Sequence, residues 1–458
     1  MTTVFAETVL MEDGWQRDAL VTIDGSGRIV TVRTGDASAA AGADHRVAVL
    51  LPAPVNLHSH AFQRAMAGLT ESRGPDPKDS FWTWRRLMYR FLQSLTPSHV
   101  NAITALVQME MLEAGYAGSV EFHYLHHQVD GTPYAALGEM SERVTEAAEE
   151  TGIGLTLAPV LYQVGGCDGR ALGPGQIRFG NDPDRYARLL EEAEAAVAKL
   201  TPDCGIGVAP HSLRAVTREA LAGAAALRPD RPIHIHVAEQ VAEVEEVEAA
   251  WGARPMAWLL ENHAVDQRWC LIHATQMEPS ETEAMAKSGA VAGLCPITES
   301  SLGDGIFDGV RYRAAGGSFG VGSDSNIRIS LSEELRTLEY SQRLRDKGRA
   351  VLAEQERSAG RVLYEEAVRG GAQAAGRDSG SIAPGRIADL VALDGAALDI
   401  AGRTGDRILD TFIFAGDDRW VRDVWSAGRH VVRDGRHIAR DRIRARYRET
   451  LRDLEDAL

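Results

Sequence analysis

A chain of 458 residues exceeds one small core, yet a barrel of roughly 250 residues or more with insertions and an accessory domain accounts for it. Apolar and charged contents of 44% and 25% are those of an ordinary soluble enzyme, and a net charge of -16 disfavours nucleic acid and anionic membrane surfaces, so an anionic substrate needs local arginines. The four cysteines, Cys167, Cys204, Cys270 and Cys295, form no C-x-x-C pair and are read as buried thiols of a reducing compartment.

At the N-terminus, Glu7, Glu12 and Asp13 stand where a signal peptide needs a basic start and an unbroken apolar stretch. No run approaches the roughly 20 apolar residues of a membrane span, so the expectation is a cytoplasmic protein without a membrane partner. Residues 1 to about 50 then read as antiparallel strands: Val4 to Val9, Ala19 to Ile23, a turn at Asp24-Gly25-Ser26-Gly27, and Ile29 to Val32. Matching material lies at the far end, in Asp389 to Leu393, Asp410 to Phe414, and Val421 to Val432. Neither end carries enough strands for a stable sheet alone, so the two are expected to combine into one small β domain.

Between the ends, strand-like runs alternate with helical ones, the pattern of a parallel sheet with crossover helices. The runs are Val47 to Leu57, Ser119 to Tyr124, Gly154 to Leu161, Gly205 to Ala209, Ile233 to Ala238, Cys270 to Ala274, Ala290 to Leu294 and Ser318 to Gly322. Helix starts are marked by Thr96-Pro97, by Asp182-Pro183 and by Pro255. Eight such units predict a (β/α)8 barrel.

A barrel carries its chemistry at the C-terminal ends of its strands. In chain order those positions hold His58 and His60, then Glu121-Phe122-His123-Tyr124, Pro210-His211, His234-Ile235-His236-Val237-Ala238-Glu239, His273, and Gly322-Ser323-Asp324-Ser325. Side chains two apart on a strand project to one side, so His58 and His60 can share a metal. A lone H-x-H is weak evidence, since a polar turn or a core histidine has the same look. Six strand ends rich in histidine and carboxylate favour a metal site.

Several of these segments resemble the amidohydrolase superfamily and, within it, the formimidoylglutamate deiminases of histidine degradation. They are Asn-Leu-His-Ser-His-Ala-Phe-Gln-Arg-Ala-Met-Ala-Gly at 56–68, Phe-Trp-Thr-Trp-Arg at 81–85, Glu-Phe-His-Tyr at 121–124, His-Ile-His-Val-Ala-Glu-Gln at 234–240, Leu-Cys-Pro-Ile-Thr-Glu at 294–299 and Gly-Ser-Asp-Ser at 322–325. The likeness runs from the first strands to Arg386-Ile387-Ala388-Asp389-Leu390. It implies a (β/α)8 TIM-like barrel over 51–381 and a small β-sandwich built from 1–50 with 382–458, the latter including a C-terminal helix.

The resemblance further implies one zinc ion per chain on His58, His60, His236 and Asp324, with His234 packing or orienting a neighbour. Three imidazoles and a carboxylate leave zinc a position open for water. It assigns proton transfer to Glu239, His273 and Asp324, and binding of an anionic small-molecule substrate to Gln63, Arg85, Tyr124, His211 and Arg214, with Asn326 and Arg328 nearby in sequence. Paired arginine forks suit a dicarboxylate. The implied reaction is hydrolysis of N-formimidoyl-L-glutamate to N-formyl-L-glutamate and ammonia. Two alternatives stay open: deamination of a heterocycle stacked on Trp82, Trp84 and Tyr124, and a non-catalytic zinc-bound scaffold. The oligomeric state is not set by the sequence, which admits a homodimer.

Overall fold

The computed structural model describes residues 1–71 and 81–455, with the side chains of 81–83 outside the described set; Trp82 of the aromatic trio therefore lies outside the described residues. The barrel strands, in order, are Val55–Ser59, Gly118–His123, Gly154–Leu161, the split pair Gly205–Ile206 and Ala209–Pro210, Ile233–Val237, Trp269–His273, Val291–Leu294 and Ser318–Val321. Neighbours pair in parallel. Single bridges Val208 to Ile233 and Ser59 to Asp324 close the ring. Covered by helices outside and side chains within, such strands are buried on both faces, which is why they read as apolar runs without alternation.

The first run differs from expectation: Val47 to Leu57 is two strands. His45–Pro52 lies parallel to Thr2–Met11 and antiparallel to Leu390–Leu393, whereas Val55–Ser59 opens the barrel. Pro52 and Pro54 offer no amide hydrogen to a ladder, and between them Ala53 donates to the Asp389 carbonyl at 2.9 Å. The chain changes layers there.

Both ends of the chain meet in one sheet, ordered Arg436–His437, Arg429–Arg433, Val421–Ser426, Leu390–Leu393, His45–Pro52, Thr2–Met11, Gly14–Ile23 and Ile29–Arg33. Val4, Val21, Ile29, Leu390 and Trp425 share its core. The sheet is mixed rather than antiparallel throughout, because Thr2–Met11 and His45–Pro52 run side by side in the same direction. Asp410 to Phe414 is not strand but the end of a helix, Asp406–Phe414. Its buried Ile408, Leu409, Phe412 and Ile413 recur at helical spacing, and that face is what tertiary packing selected. The C-terminal helix Arg440–Asp453 packs Ile443 among Ala105, Leu106, Met109 and Ala147 of the barrel helices.

Expected helix starts are present. Thr96 caps Pro97–Glu113 through the His99 amide, Asp182 caps Pro183–Val197 through the Arg185 amide at 2.8 Å, and Pro255 opens Pro255–Asn262. The four cysteines are free, but only Cys270 and Cys295 are buried, with Cys167 and Cys204 half-buried. Among the described residues, no helix is long and apolar enough to cross a membrane.

Candidate active site

His58 and His60 project to one side of the first barrel strand, and the last strand delivers Asp324 to them. Gly322 permits that approach: a Cβ there would stand 2.6 Å from the His58 nitrogen and 2.7 Å from its carbonyl oxygen. The Asp324 amide donates to the His58 carbonyl and the His60 amide to the Asp324 carbonyl, each at 2.9 Å. Asp324 Oδ1 then lies 3.5 Å from His58 Nε2 and 3.2 Å from His60 Nε2, while His236 Nε2 lies 3.0 Å from His58 Nε2.

These four side chains offer ligand atoms within 4.8 Å of one another, and all four are buried. The donor set fits a cation on its own chemistry. His60 Nδ1 donates to the Phe122 carbonyl at 2.8 Å and His236 Nδ1 to the His211 carbonyl at 3.1 Å, so each turns an Nε2 lone pair inward. Burial pushes His58 down to about 3 and His236 well below the usual histidine range, keeping these rings neutral. Neutral nitrogens facing one another beside a carboxylate are the arrangement a divalent ion satisfies. His234, two residues before His236, turns away and places Nε2 2.8 Å from the Ala374 carbonyl.

The groups expected to move protons stand beside this cluster. His273 Nε2 is 3.9 Å from Glu239 Oε1 and 3.9 Å from Asp324 Oδ2, so Asp324 turns one oxygen to the imidazoles and the other to His273. Burial opposes charge on the His273 ring, but Glu239, the hydrogen-bonded Glu299 and Asp324 outweigh it and push its pKa up to about 10. The buried Glu243 accepts from the backbone amides of Ala238 and Glu239 at 3.2 and 3.0 Å, fixing the turn that carries Glu239. Ala238, His273 and Asp324 all have positive φ, at 53°, 71° and 46°. Left-handed backbone is costly for a residue with a Cβ and persists where its surroundings hold it.

Gln63, Arg85, Tyr124, His211 and Arg214 line one cavity together with His60, His236, Glu239, His273 and Asp324. All five expected substrate contacts therefore meet the donor group. Gln63 Nε2 donates to the Tyr124 hydroxyl at 2.6 Å, and Arg85 donates to the Tyr162 hydroxyl at 2.7 Å. Arg214 stands 3.8 Å from Glu239 and 4.0 Å from Glu243. Burial, then the charges of Arg214 and Arg85, hold His211 well below the ordinary histidine pKa. Trp84 borders the cavity, as do Tyr89, Tyr162 and Phe179, which sequence reading did not single out. Asn326 lies beneath the site, donating to Ser59 Oγ at 3.1 Å, and Arg328 is exposed and paired with Glu333. Sequence reading also passed over Glu299, although it ends a quoted segment; its signal was a carboxylate just after the seventh strand.

Residues 49–431 match the model of the amidohydrolase family, and residues 1–48 match that described as formimidoylglutamate deiminase HutF, N-terminal domain. The chain is 49% identical over 458 residues to formimidoylglutamate deiminase of Pseudomonas aeruginosa, covering 100% of both. The chain belongs to the amidohydrolase family, among its formimidoylglutamate deiminases. It is a hydrolase acting on a C–N bond. Among solved structures, an amidohydrolase from Brucella melitensis superposes with a TM-score of 0.94 at 47% identity, covering 99% of this chain and 100% of that one. An adenosine deaminase from Xanthomonas campestris with bound zinc reaches 0.83 at 22% identity over 100% of this chain and 99% of its own, a likeness of fold alone. A 5-methylthioadenosine/S-adenosylhomocysteine deaminase of Bacillus cereus is 23% identical over 84% of this chain and 82% of its own length.

Proposed function

We propose that this enzyme hydrolyses N-formimidoyl-L-glutamate to N-formyl-L-glutamate and ammonia, with one zinc ion held by His58, His60, His236 and Asp324. The observation that carries the substrate is the pair Arg85 and Arg214 in one cavity with the four-donor group. In a chain of net charge -16, two guanidinium forks beside the reacting centre suit a dicarboxylate. A zinc ion at these ligands supplies Lewis acidity and brings the pKa of a water to about 7.

Hydrolysis of the amidine adds water across the imino carbon, and the nitrogen that is protonated leaves. Asp324, whose Oδ2 faces His273, accepts a proton at that oxygen. His273 presents Nε2 between Glu239 and Asp324, 3.9 Å from each, and passes the proton from Asp324 to Glu239. Glu239 hands each of the two protons, the first from the attacking water and the second from the hydroxyl of the tetrahedral centre, to the terminal nitrogen, so ammonia departs and the bond from carbon to the glutamate nitrogen survives. Gln63, Tyr124 and His211 position the substrate, and Arg85 and Arg214 bind its carboxylates.

The same reading makes this a cytoplasmic enzyme of histidine degradation with two units, residues 51–381 and residues 1–50 with 382–458. The shared sheet and core of the two chain ends support that division. Product analysis by NMR on N-formimidoyl-L-glutamate, run beside an adenosyl nucleoside, tests the assignment. Expected are ammonia and N-formyl-L-glutamate; formamide with free glutamate, or preferential turnover of the nucleoside, overturns it.

A further inference from the structure

We propose that Glu299 is a positioning residue for catalysis, holding the His273 ring in the orientation and tautomer from which it works. The inference rests on the reading of His273 as a proton carrier. Glu299 lies in the first turn of the helix Pro296–Leu302, directly after the seventh barrel strand. Its Oε1 accepts from the Cys295 amide at 2.8 Å and from His273 Nδ1 at 3.2 Å, and its own amide donates to the Cys295 carbonyl at 2.9 Å. The carboxylate is therefore fixed from its own turn before it meets the ring. Both side chains are buried, at 7% and 1% exposure, so water does not compete for the contact.

Three features make that contact directive. Among the described residues the ring is held at Nδ1 by Glu299 alone, whereas Nε2 faces Glu239 and Asp324 at 3.9 Å, beyond a direct hydrogen bond. A carboxylate on one imidazole nitrogen requires a proton there and stabilises the charged ring. His273 is the last residue of its strand and its backbone, at φ 71°, is no longer extended, so regular pleating does not aim its side chain. The ring packs against His236 and His58, at centroid distances of 5.5 and 6.1 Å, and the Glu299 contact at Nδ1 adds the polar restraint on its rotation about the Cβ–Cγ bond.

The competing role is a purely local one, since a carboxylate accepting the Cys295 amide also tethers the start of a helix. A double-substitution cycle separates the two. Glu299→Gln keeps shape and an acceptor oxygen but removes the charge. It is expected to lower kcat about 10- to 100-fold, the range over which outer partners of working histidines act, with KM and zinc content at parental values. On a His273→Gln background the same change should alter kcat by less than about twofold, because its effect passes through the ring. Parental kcat in Glu299→Gln, or an equal loss on both backgrounds, overturns the proposal. Parental kcat in His273→Gln alone overturns the underlying proton-carrier reading instead. Should Glu299→Gln not fold, Glu299→Asp, which draws the oxygen back by one methylene, enters the same cycle with the same criteria.

Discussion

The amide of His60 donates to the Asp324 carbonyl at 2.9 Å, and the ring Nε2 of that histidine lies 3.2 Å from the Asp324 carboxylate. The seam that closes the barrel and the donor group thus share His58, His60 and Asp324. A cation there ties the first strand to the last, so metal removal should cost stability as well as activity. Chelation is expected to lower the melting temperature, and zinc at roughly 100 times its Kd to restore about 2.7 kcal/mol. Asp324→Asn should abolish this response. A melting temperature indifferent to zinc in the parent protein would sink the ligand assignment.

The ligands and the proton carriers should separate under metal analysis. His236→Ala and Asp324→Asn are expected to lose both zinc and turnover. Glu239→Gln is expected to lose turnover with zinc retained, since Glu239 meets His273 and Arg214 and is absent from the four-donor group. Zinc loss in Glu239→Gln as deep as in His236→Ala would make Glu239 a ligand instead.

Arg85→Met and Arg214→Met should each cost carboxylate recognition while leaving the metal bound. Removing one side of a buried, hydrogen-bonded charge pair costs about 2–5 kcal/mol, or roughly 30-fold to several thousand-fold in kcat/KM. Arg214→Met should lower kcat as well, because its guanidinium stands 3.8 Å from Glu239. Steady-state kinetics on the diacid and on each monoester give the comparison. A monoester should lose little further activity on the variant whose missing fork it matches; parental efficiency of both variants on the diacid would leave the dicarboxylate reading without support.

Arg377 couples the end-built sheet to the barrel. It reaches Asp389 at 2.6 and 2.9 Å and Asp203 at 2.9 Å, and Arg429 adds two contacts to Asp203 at 2.8 Å. Arg377→Met, leaving two buried carboxylates short of a partner, should cost about 3–5 kcal/mol in urea unfolding at pH 7. Burial opposes ionisation of Asp203, but hydrogen bonds from Arg429 and the charge of Arg377 outweigh it and hold this carboxyl well below the usual range. A lowered folded pKa stabilises above the unfolded value of about 3.9, and that stability is lost as pH falls below it. Asp203→Asn should therefore be weaker at pH 7 and show a shallower acid dependence below about pH 4. An acid dependence matching the parent's would exclude Asp203 as its source.

Much was legible because local patterns and global fold agree. Strand residues buried on two faces must be apolar, so seven of the barrel strands stood out as runs near their observed bounds. Proline and capping residues announced the helices at Thr96, Asp182 and Pro255 for reasons confined to a few neighbouring peptide groups. His58, His60, His236 and Asp324 were nominated through family resemblance at strand ends, and barrel geometry brings such ends together.

What the amino-acid order determined by itself is therefore whatever depends on neighbours within a turn or along a strand: the apolar runs, the helix starts and the polar residues at strand ends. The tertiary structure decided what depends on partners far along the chain. The apolar run before His58 became two strands because Leu390–Leu393 and Thr2–Met11 claimed its first half. Asp406–Phe414 became helix because its buried face had a surface to cover. Arg214 met Glu239, and His273 met Glu299, through turns at the ends of different strands. Such contacts form only once the barrel closes, since hydrogen bonding and ion pairing act over a few ångströms and local spacing carries no record of which distant side chain will arrive.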